Sequence, residues 1–317
     1  MKTKAQALEI IKNLTFGVEI ECMFPKDRAI EHSILTNPTH WSHPIWMGHI
    51  STNGESLSQW GASWDQTITR KEGFAPIEFN SKVLKGEQGL KEIIKFFTWL
   101  ADMGAEVDRS CGLHIHLGAK QLCEGLDLDQ AIEQLCKTLK FGNSIKSAIF
   151  AQAGSAHRFL NGTWARTSVR NARQRIDSKE DIPCFGGKYF FINTRNIASN
   201  GISSNKATIE FRAFAGTTNY LKVLNHLMTA FVTVYAGMRY SRTSWESRNQ
   251  TADKGLESYN ALISTWSNHP MLTQFPTFQA EKRKMFKIGR KMAKKFVTNI
   301  RRAVTRSNGS LDLNRFA

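Results

Sequence analysis

Residues 15–24 read TFGVEIECMF: Val18, Ile20, Cys22 and Phe24 alternate with Glu19 and Glu21. A strand sets residues i and i+2 on one face, so the spacing predicts an apolar face and, opposite it, two adjacent carboxylates. Like charges placed so repel unless a cation or a proton lies between them. The same alternation recurs along the chain. Asp65 and Thr67 occur in SWDQTI, Glu78 and Asn80 in PIEFN, His114 and His116 in LHIHL, and Glu210 and Arg212 in TIEFRAF. A solvated sheet face would favour Lys, Thr, Ser and Gln. Glu, His, Asp, Asn and Arg are instead the side chains that bind metals and phosphates.

Between these strands the apolar spacing turns helical. Residues 1–14 read as a short amphipathic helix, without the apolar run of a secretory leader. Leu90, Ile93, Ile94, Phe97 and Leu100 make one face of a helix over 89–105, closed at Gly104. Further helices are expected from Leu128 to Ala151 and from Asn219 to Arg239. Strands are expected at 15–24, 60–69, 74–81, 112–118, 188–193 and 207–214, with a His- and Trp-rich loop over 39–57. Runs of strands with intervening helices predict an α+β fold: a mainly antiparallel sheet, backed by helices, with one face left for the polar pairs.

The 317 residues carry a net charge of +16 and five cysteines with no CxxC pair. An odd count without paired spacing argues against a disulfide framework and for reduced thiols in a cytoplasm. The apolar stretch 227–238 is too short to span a bilayer, so no membrane partner is expected. Residues 281–306 hold eleven lysines or arginines and a single glutamate, ten of the sixteen net charges. Met285, Ile288, Met292, Phe296 and Ile300 recur there at helical spacing. One reading is a helix docked by that stripe with a solvated basic face. The other is an arm that grips nucleic acid or another polyanion.

Several carboxylates with one or two imidazoles form a hard donor set suited to Mg²⁺ or Mn²⁺. Zinc is the competitor, because Cys111, His114 and His116 lie within six residues, but a second Cys or His cluster is missing. No glycine-rich phosphate loop occurs. A nucleotide would therefore be held by metal ions and arginines: Arg212, Arg195, and the group Arg158, Arg166, Arg170, Arg173 and Arg175.

In order, GVEIE, WDQT, IEFNS, CGLHIHL and YFFIN…TIEFRAFAGT resemble the amidoligase family, which is related to glutamine synthetase and the glutamate–cysteine ligases. The resemblance runs from about Phe16 to Asn219. It implies a curved antiparallel sheet whose concave face is the active site, and an ATP- and Mg²⁺-dependent carboxylate–amine ligase acting through an acyl phosphate. Glu19 and Glu21 would be metal ligands, with His114 and Glu210 completing the first site and Glu78 holding a second metal. His116 would contact ATP phosphate, and Asn193 would position substrate or nucleotide. Arg212 would neutralise charge on the transferred phosphoryl group. Asp65 departs from the family, whose members often have Asp-Gly-Ser where this chain has DQT. The partners implied are a carboxylate-bearing acceptor and an amine donor, on a peptide or another macromolecule. Residues 1–240 would then be the catalytic domain and 241–317 a basic helical extension. The alternatives are a metal-dependent nuclease using the same polar face, with the basic segment on DNA, and a non-catalytic protein that retains the fold.

Overall fold

The computed structural model describes residues 2–32, 45–47, 50–52, 55–57, 60–154, 156–161, 190–239 and 269–306. Strand β1 (Thr15–Pro25) lies in the middle of an eight-stranded sheet. Its neighbours in chain order are β2 (Ile45–Met47), β5 (Trp60–Trp64), β6 (Phe74–Ser81), β7 (Leu84–Lys85), β8 (Gly112–Gly118), β9 (Ile192–Asn193) and β10 (Thr208–Ala215). A separate hairpin pairs β3 (Ile50–Thr52) with β4 (Glu55–Leu57). The sheet order is β2-β5-β6-β1-β8-β10-β9, with β7 also pairing β1, and every pairing is antiparallel.

The alternation in β1 divides the molecule. Phe16, Val18, Ile20, Cys22 and Phe24 are buried in one continuous core with the helices Gly86–Asp102, Leu128–Ser144 and Tyr220–Arg239. Rings lock these layers together: Phe16 meets Phe231 edge-on, and Trp60 stacks on Phe96. Two of the helices cross closely because small residues stand at the crossing. A Cβ on Gly237 would fall 2.5 Å from the Thr138 Cα, and one on Gly142 would fall 3.3 Å from the Thr233 Cγ2. The first helix, Lys4–Asn13, is closed by a reciprocal capping box between Thr3 and Gln6.

Most expected elements form within a few residues of their predicted bounds, and the exceptions have local causes. The strand expected over 60–69 ends at Trp64. There Asp65 Oδ1 accepts both the amide and the hydroxyl of Thr67, a local turn that competes with the ladder. The helix expected from Leu128 to Ala151 is two, Leu128–Ser144 and Lys146–Ala153. The Ile145 amide is shared between the carbonyls of Phe141 and Gly142, and every residue of the second piece is buried, which turns the chain into the core. Within the expected loop 39–57, three short strands occur. Residues 188–189 of the strand expected over 188–193 lie outside the described residues, and β9 comprises Ile192 and Asn193.

The basic segment is a helix, Pro276–Arg306. Its apolar stripe, including Met285, Phe296 and Ile300, is buried in the same core as the sheet, and Met292 is buried as well. Phe296 meets Phe159 edge-on, and Glu87 accepts from the Thr277 amide at the start of the helix. No helix among the described residues is long and apolar enough to cross a membrane.

Candidate active site

Strand pairing carries the polar residues of distant segments onto one face. In the ladders, Glu21 stands opposite Glu78, Glu19 between Asn80 and His114, and Glu210 between His116 and Asn193. The resulting cavity of about 510 Å³ is lined by Glu19, Glu21, Glu78, His114, His116, Glu210 and Arg212 from the sheet. Asp65, Thr67, Ser110, Arg158, Arg195 and Asn196 complete its wall.

Two trios emerge in which one ligand atom from each residue lies within 4.8 Å of the others: Glu19, His116 and Glu210, and Glu21, Asp65 and Glu78. His114 stands between them. Its Nδ1 is 3.1 Å from Glu19 Oε2 and 3.8 Å from Glu210 Oε1, and its Nε2 is 3.8 Å from Glu21 Oε1. Asp65 enters the second trio from its turn rather than from a strand.

The charges on this face are strongly coupled. Burial alone would raise the Glu19 carboxyl, but His116 and His114 outweigh it and hold Glu19 well below the usual carboxylate range. Burial likewise opposes ionisation of Glu210, and His116, Arg212 and His114 reverse the balance and lower it. For Glu78, burial reinforced by Glu19 outweighs the Asn80 hydrogen bond and the His114 charge, and its carboxyl is raised. For His116 burial works against the proton, but Glu19 and Glu210 raise the imidazole above its ordinary value. Its buried Nε2 lies 3.1 Å from Glu19 Oε1, an ion-pair contact without good hydrogen-bond geometry, and faces the trio.

Arg212 reaches its place through an irregularity. Between Phe211 and Phe214 the β10–β8 register shifts, so Arg212 and Ala213 together stand opposite His114. Such a bulge re-aims a side chain. Here the Arg212 amide donates to the Phe191 carbonyl, and its guanidinium reaches Glu210 Oε1 at 2.5 Å. Behind that pair, Asn193 Nδ2 donates to Glu210 Oε2 at 3.0 Å. Asn193 is fully buried and does not line the cavity, so it acts on the site through Glu210.

Arg158, read in sequence as one of a group of arginines, is a buried brace. Its NH2 donates to the Cys111 carbonyl at 2.9 Å and its NH1 to the Arg212 carbonyl at 3.5 Å, tying the start of β8 to the bulge of β10. Arg195 lines the cavity, whereas Arg166, Arg170, Arg173 and Arg175 lie outside the described residues. Cys111 turns its thiol toward Asp108, and burial pushes it up to about 11, so it offers no thiolate to a zinc ion. Neither trio contains a cysteine.

Sequence reading paired Thr67 with Asp65 but passed over Gly112, Ser110 and Asn196. Gly112 donates its amide to Glu21 Oε2 at 2.5 Å. A Cβ there would stand 2.8 Å from Arg158 NH2, 2.9 Å from His114 Nε2 and 3.0 Å from Glu21 Oε2. Gly112→Ala is therefore expected to cost about 1 kcal/mol, since only side-chain ends must move. It should weaken Mn²⁺ binding, measured by calorimetric titration, because those ends belong to the cavity. Wild-type Mn²⁺ affinity in the variant would show that the three groups have room to spare.

Comparison with known proteins follows the same lines. No curated protein matches the chain in sequence. Among solved structures, a bifunctional glutathione synthetase from Pasteurella multocida aligns with TM-score 0.45 and 11% identity, over 98% of this chain and 52% of that one. The chain thus spans about half the length of that protein. A glutamine synthase homolog aligns with TM-score 0.43 and 11% identity, over 94% of this chain and 71% of the other. The ligase PafA, solved in complex with the prokaryotic ubiquitin-like protein Pup, aligns with TM-score 0.42 and 11% identity, over 98% and 71%. In sequence, residues 12–232 match the family described as "Putative amidoligase enzyme", a span that holds every strand of the sheet and both trios. The chain belongs to that amidoligase family.

Proposed function

We propose that the protein joins a carboxylate to an amine, coupled to conversion of ATP to ADP and phosphate, with Mg²⁺ as the divalent ion. One observation carries this reading: two acidic trios, one containing a histidine, share a strand face with a buried arginine. The donor set fits a hard cation, since it offers five carboxylates and one imidazole and no thiolate. His116 Nε2, buried and without a well-formed hydrogen bond beside Glu19, is the kind of atom such an ion would satisfy. When bound, Mg²⁺ supplies charge neutralisation at the phosphates of ATP.

The chain's own residues then have distinct tasks. Glu19, His116 and Glu210 would hold one ion, and Glu21, Asp65 and Glu78 the other. His114, between the trios, keeps Glu19 and Glu21 apart. Arg212 meets the negative charge that develops as the γ-phosphoryl leaves ADP for the substrate carboxylate, where such catalysis gains most of its effect. Arg195 and Asn196 would hold the nucleotide from the cavity wall. The resulting acyl phosphate is attacked by the amine, which loses a proton as phosphate departs, so the protein needs no covalent nucleophile. Cys22, Cys111 and Cys123 are free and buried, in keeping with work in a reducing cytoplasm.

Thermal melting tests the reading. Mg²⁺ and a non-hydrolysable ATP analogue together should raise the melting temperature more than either alone, by the equivalent of about 2.7 kcal/mol at 100 times the dissociation constant. No shift with the pair would overturn the ligase assignment.

The metal-induced shift should also depend on pH with a definite sign. The raised His116 imidazole adds stability to the metal-free protein below its unfolded value of about 6.5. That contribution is lost as pH rises through the higher folded value. Mg²⁺ requires His116 neutral, so its stabilisation should grow as pH increases from about 6 to about 8. A shift that shrank over that range, measured with and without EDTA, would remove His116 from the ligand set.

A further inference from the structure

The long C-terminal helix has a second face unconnected with the cavity; none of the cavity's lining residues belongs to it. Its apolar stripe is spent on the protein's own core. On the outward side Arg283, Lys287, Arg290, Lys294 and Arg301 are exposed. At 100° per residue these five fall within about 60° of one another, a line about 27 Å long at 1.5 Å per residue. A shallow cleft of about 570 Å³ runs beside it, flanked by Lys291 and floored by the ring of Phe286.

The cations here are crowded and uncompensated. Arg283, Lys287, Arg290, Lys291 and Lys294 have no acidic partner among the described residues, whereas Lys284 has Glu281. Burial lowers Lys222, on the neighbouring helix, and Lys295 and Lys291 lower it further. Such a row is held at a cost in self-repulsion that a polyanion would relieve.

We propose that this face docks the phosphate backbone of a nucleic acid. Two features favour phosphate over an acidic polypeptide. Protein interfaces are built around exposed aromatic and aliphatic anchors and are depleted of lysine. The exposed large apolar residues among those described are Ile30, Val83 and Leu128, none of them on this helix. Between Arg283 and Arg301 the exposed positions are all Arg or Lys apart from Thr298, a row of spread cations suited to a line of phosphates rather than to one base step. Binding should therefore be sequence-independent and strongly salt-dependent. The proposal is independent of the ligase reading, and either can fail alone.

The test uses the full chain and fluorescein-labelled 20-base-pair DNA of two unrelated sequences, titrated at several salt concentrations. Each neutralised phosphate contributes about 0.9 to the slope of log K against log salt. Combining Lys287→Gln, Arg290→Gln, Lys291→Gln and Lys294→Gln should flatten that slope by about 2 or more and weaken binding at 0.1 M salt at least about tenfold. The melting shift with Mg²⁺ and ATP analogue should survive. Combining Lys287→Arg, Lys291→Arg and Lys294→Arg should bind like wild type. Should the glutamine variant misfold, protection of Lys287, Lys291 and Lys294 from acetylation by duplex DNA in the wild-type protein decides instead. Equal affinity for both DNA sequences with these losses supports the proposal. No binding by wild type at 50 mM salt, an unchanged slope in a folded glutamine variant, absence of lysine protection, or tighter binding of poly-glutamate would each overturn it.

Discussion

Arg212→Ala is expected to destabilise the protein by about 3–5 kcal/mol, because it leaves a buried carboxylate without its cation. The side chains of Arg212 and Glu210 are 9% and 8% exposed and meet at 2.5 Å, so water cannot take over the arginine's place. ATP turnover, followed as ADP release, should fall by about 10³-fold as well. The two losses separate in Arg212→Lys. An ammonium still opposes Glu210 and should restore most of the stability in urea unfolding. It lacks the planar fork that spans Glu210 and a second acceptor, so turnover should stay low. A lysine variant with wild-type turnover would reduce Arg212 to a structural partner of Glu210.

Glu78→Gln should have effects of opposite sign in the presence and absence of metal. Without metal, Glu78 is half-buried and repelled by Glu19, so its charge is a liability to the fold. Its neighbour Asn80 already donates to Glu78 Oε1 at 3.0 Å, and a glutamine keeps that acceptor. In EDTA the variant should melt at or above the wild-type temperature. With Mn²⁺, the second trio has lost a carboxylate, and affinity should drop at least about 10²-fold, since even outer partners of metal ligands cost up to that much. A variant less stable than wild type in EDTA would mean that Glu78 serves the fold. Undiminished Mn²⁺ binding would free it from the site.

How much of this was open to sequence reading follows from what each feature depends on. The i, i+2 pairs are local, so Glu19 with Glu21, His114 with His116 and Glu210 with Arg212 were legible before any pairing was known. Which of them meet is a matter of register between segments up to 191 residues apart, as for Glu19 and Glu210. Alternation alone carries no register, and for that reason the sorting into two trios, with both His114 and His116 beside Glu19 and Glu210, came only from the ladders. Asp65 was read as a strand residue because turn formation through its own side chain leaves the apolar pattern around it unchanged. Gly112, and the bracing role of Arg158, escaped because a missing Cβ and a brace to main-chain carbonyls have no periodic signature; Arg158 itself was read among the nucleotide-holding arginines. The basic helix was legible as amphipathic, and its stripe docks as one of the two readings expected.

The bulge in β10 has a consequence for how this protein can change. Phe211 and Phe214 both point into the core, and two residues rather than one separate them opposite His114. Deleting Ala213 would leave a strand of unbroken alternation, and by local rules a better ladder. Arg212 shares the Glu210 face by its i, i+2 spacing alone; what the extra residue adds is the local bend that sets the Arg212 carbonyl before Arg158 and seats the guanidinium at 2.5 Å from Glu210. Such a deletion should give a folded protein, checked by circular dichroism, with ADP release as low as in Arg212→Lys; full turnover would show that the irregularity is incidental. Chemistry in this strand thus resides in a residue count as well as in residue identity. A methyl-bearing position with no functional group is as exposed to loss by a three-base deletion as the arginine beside it is to substitution.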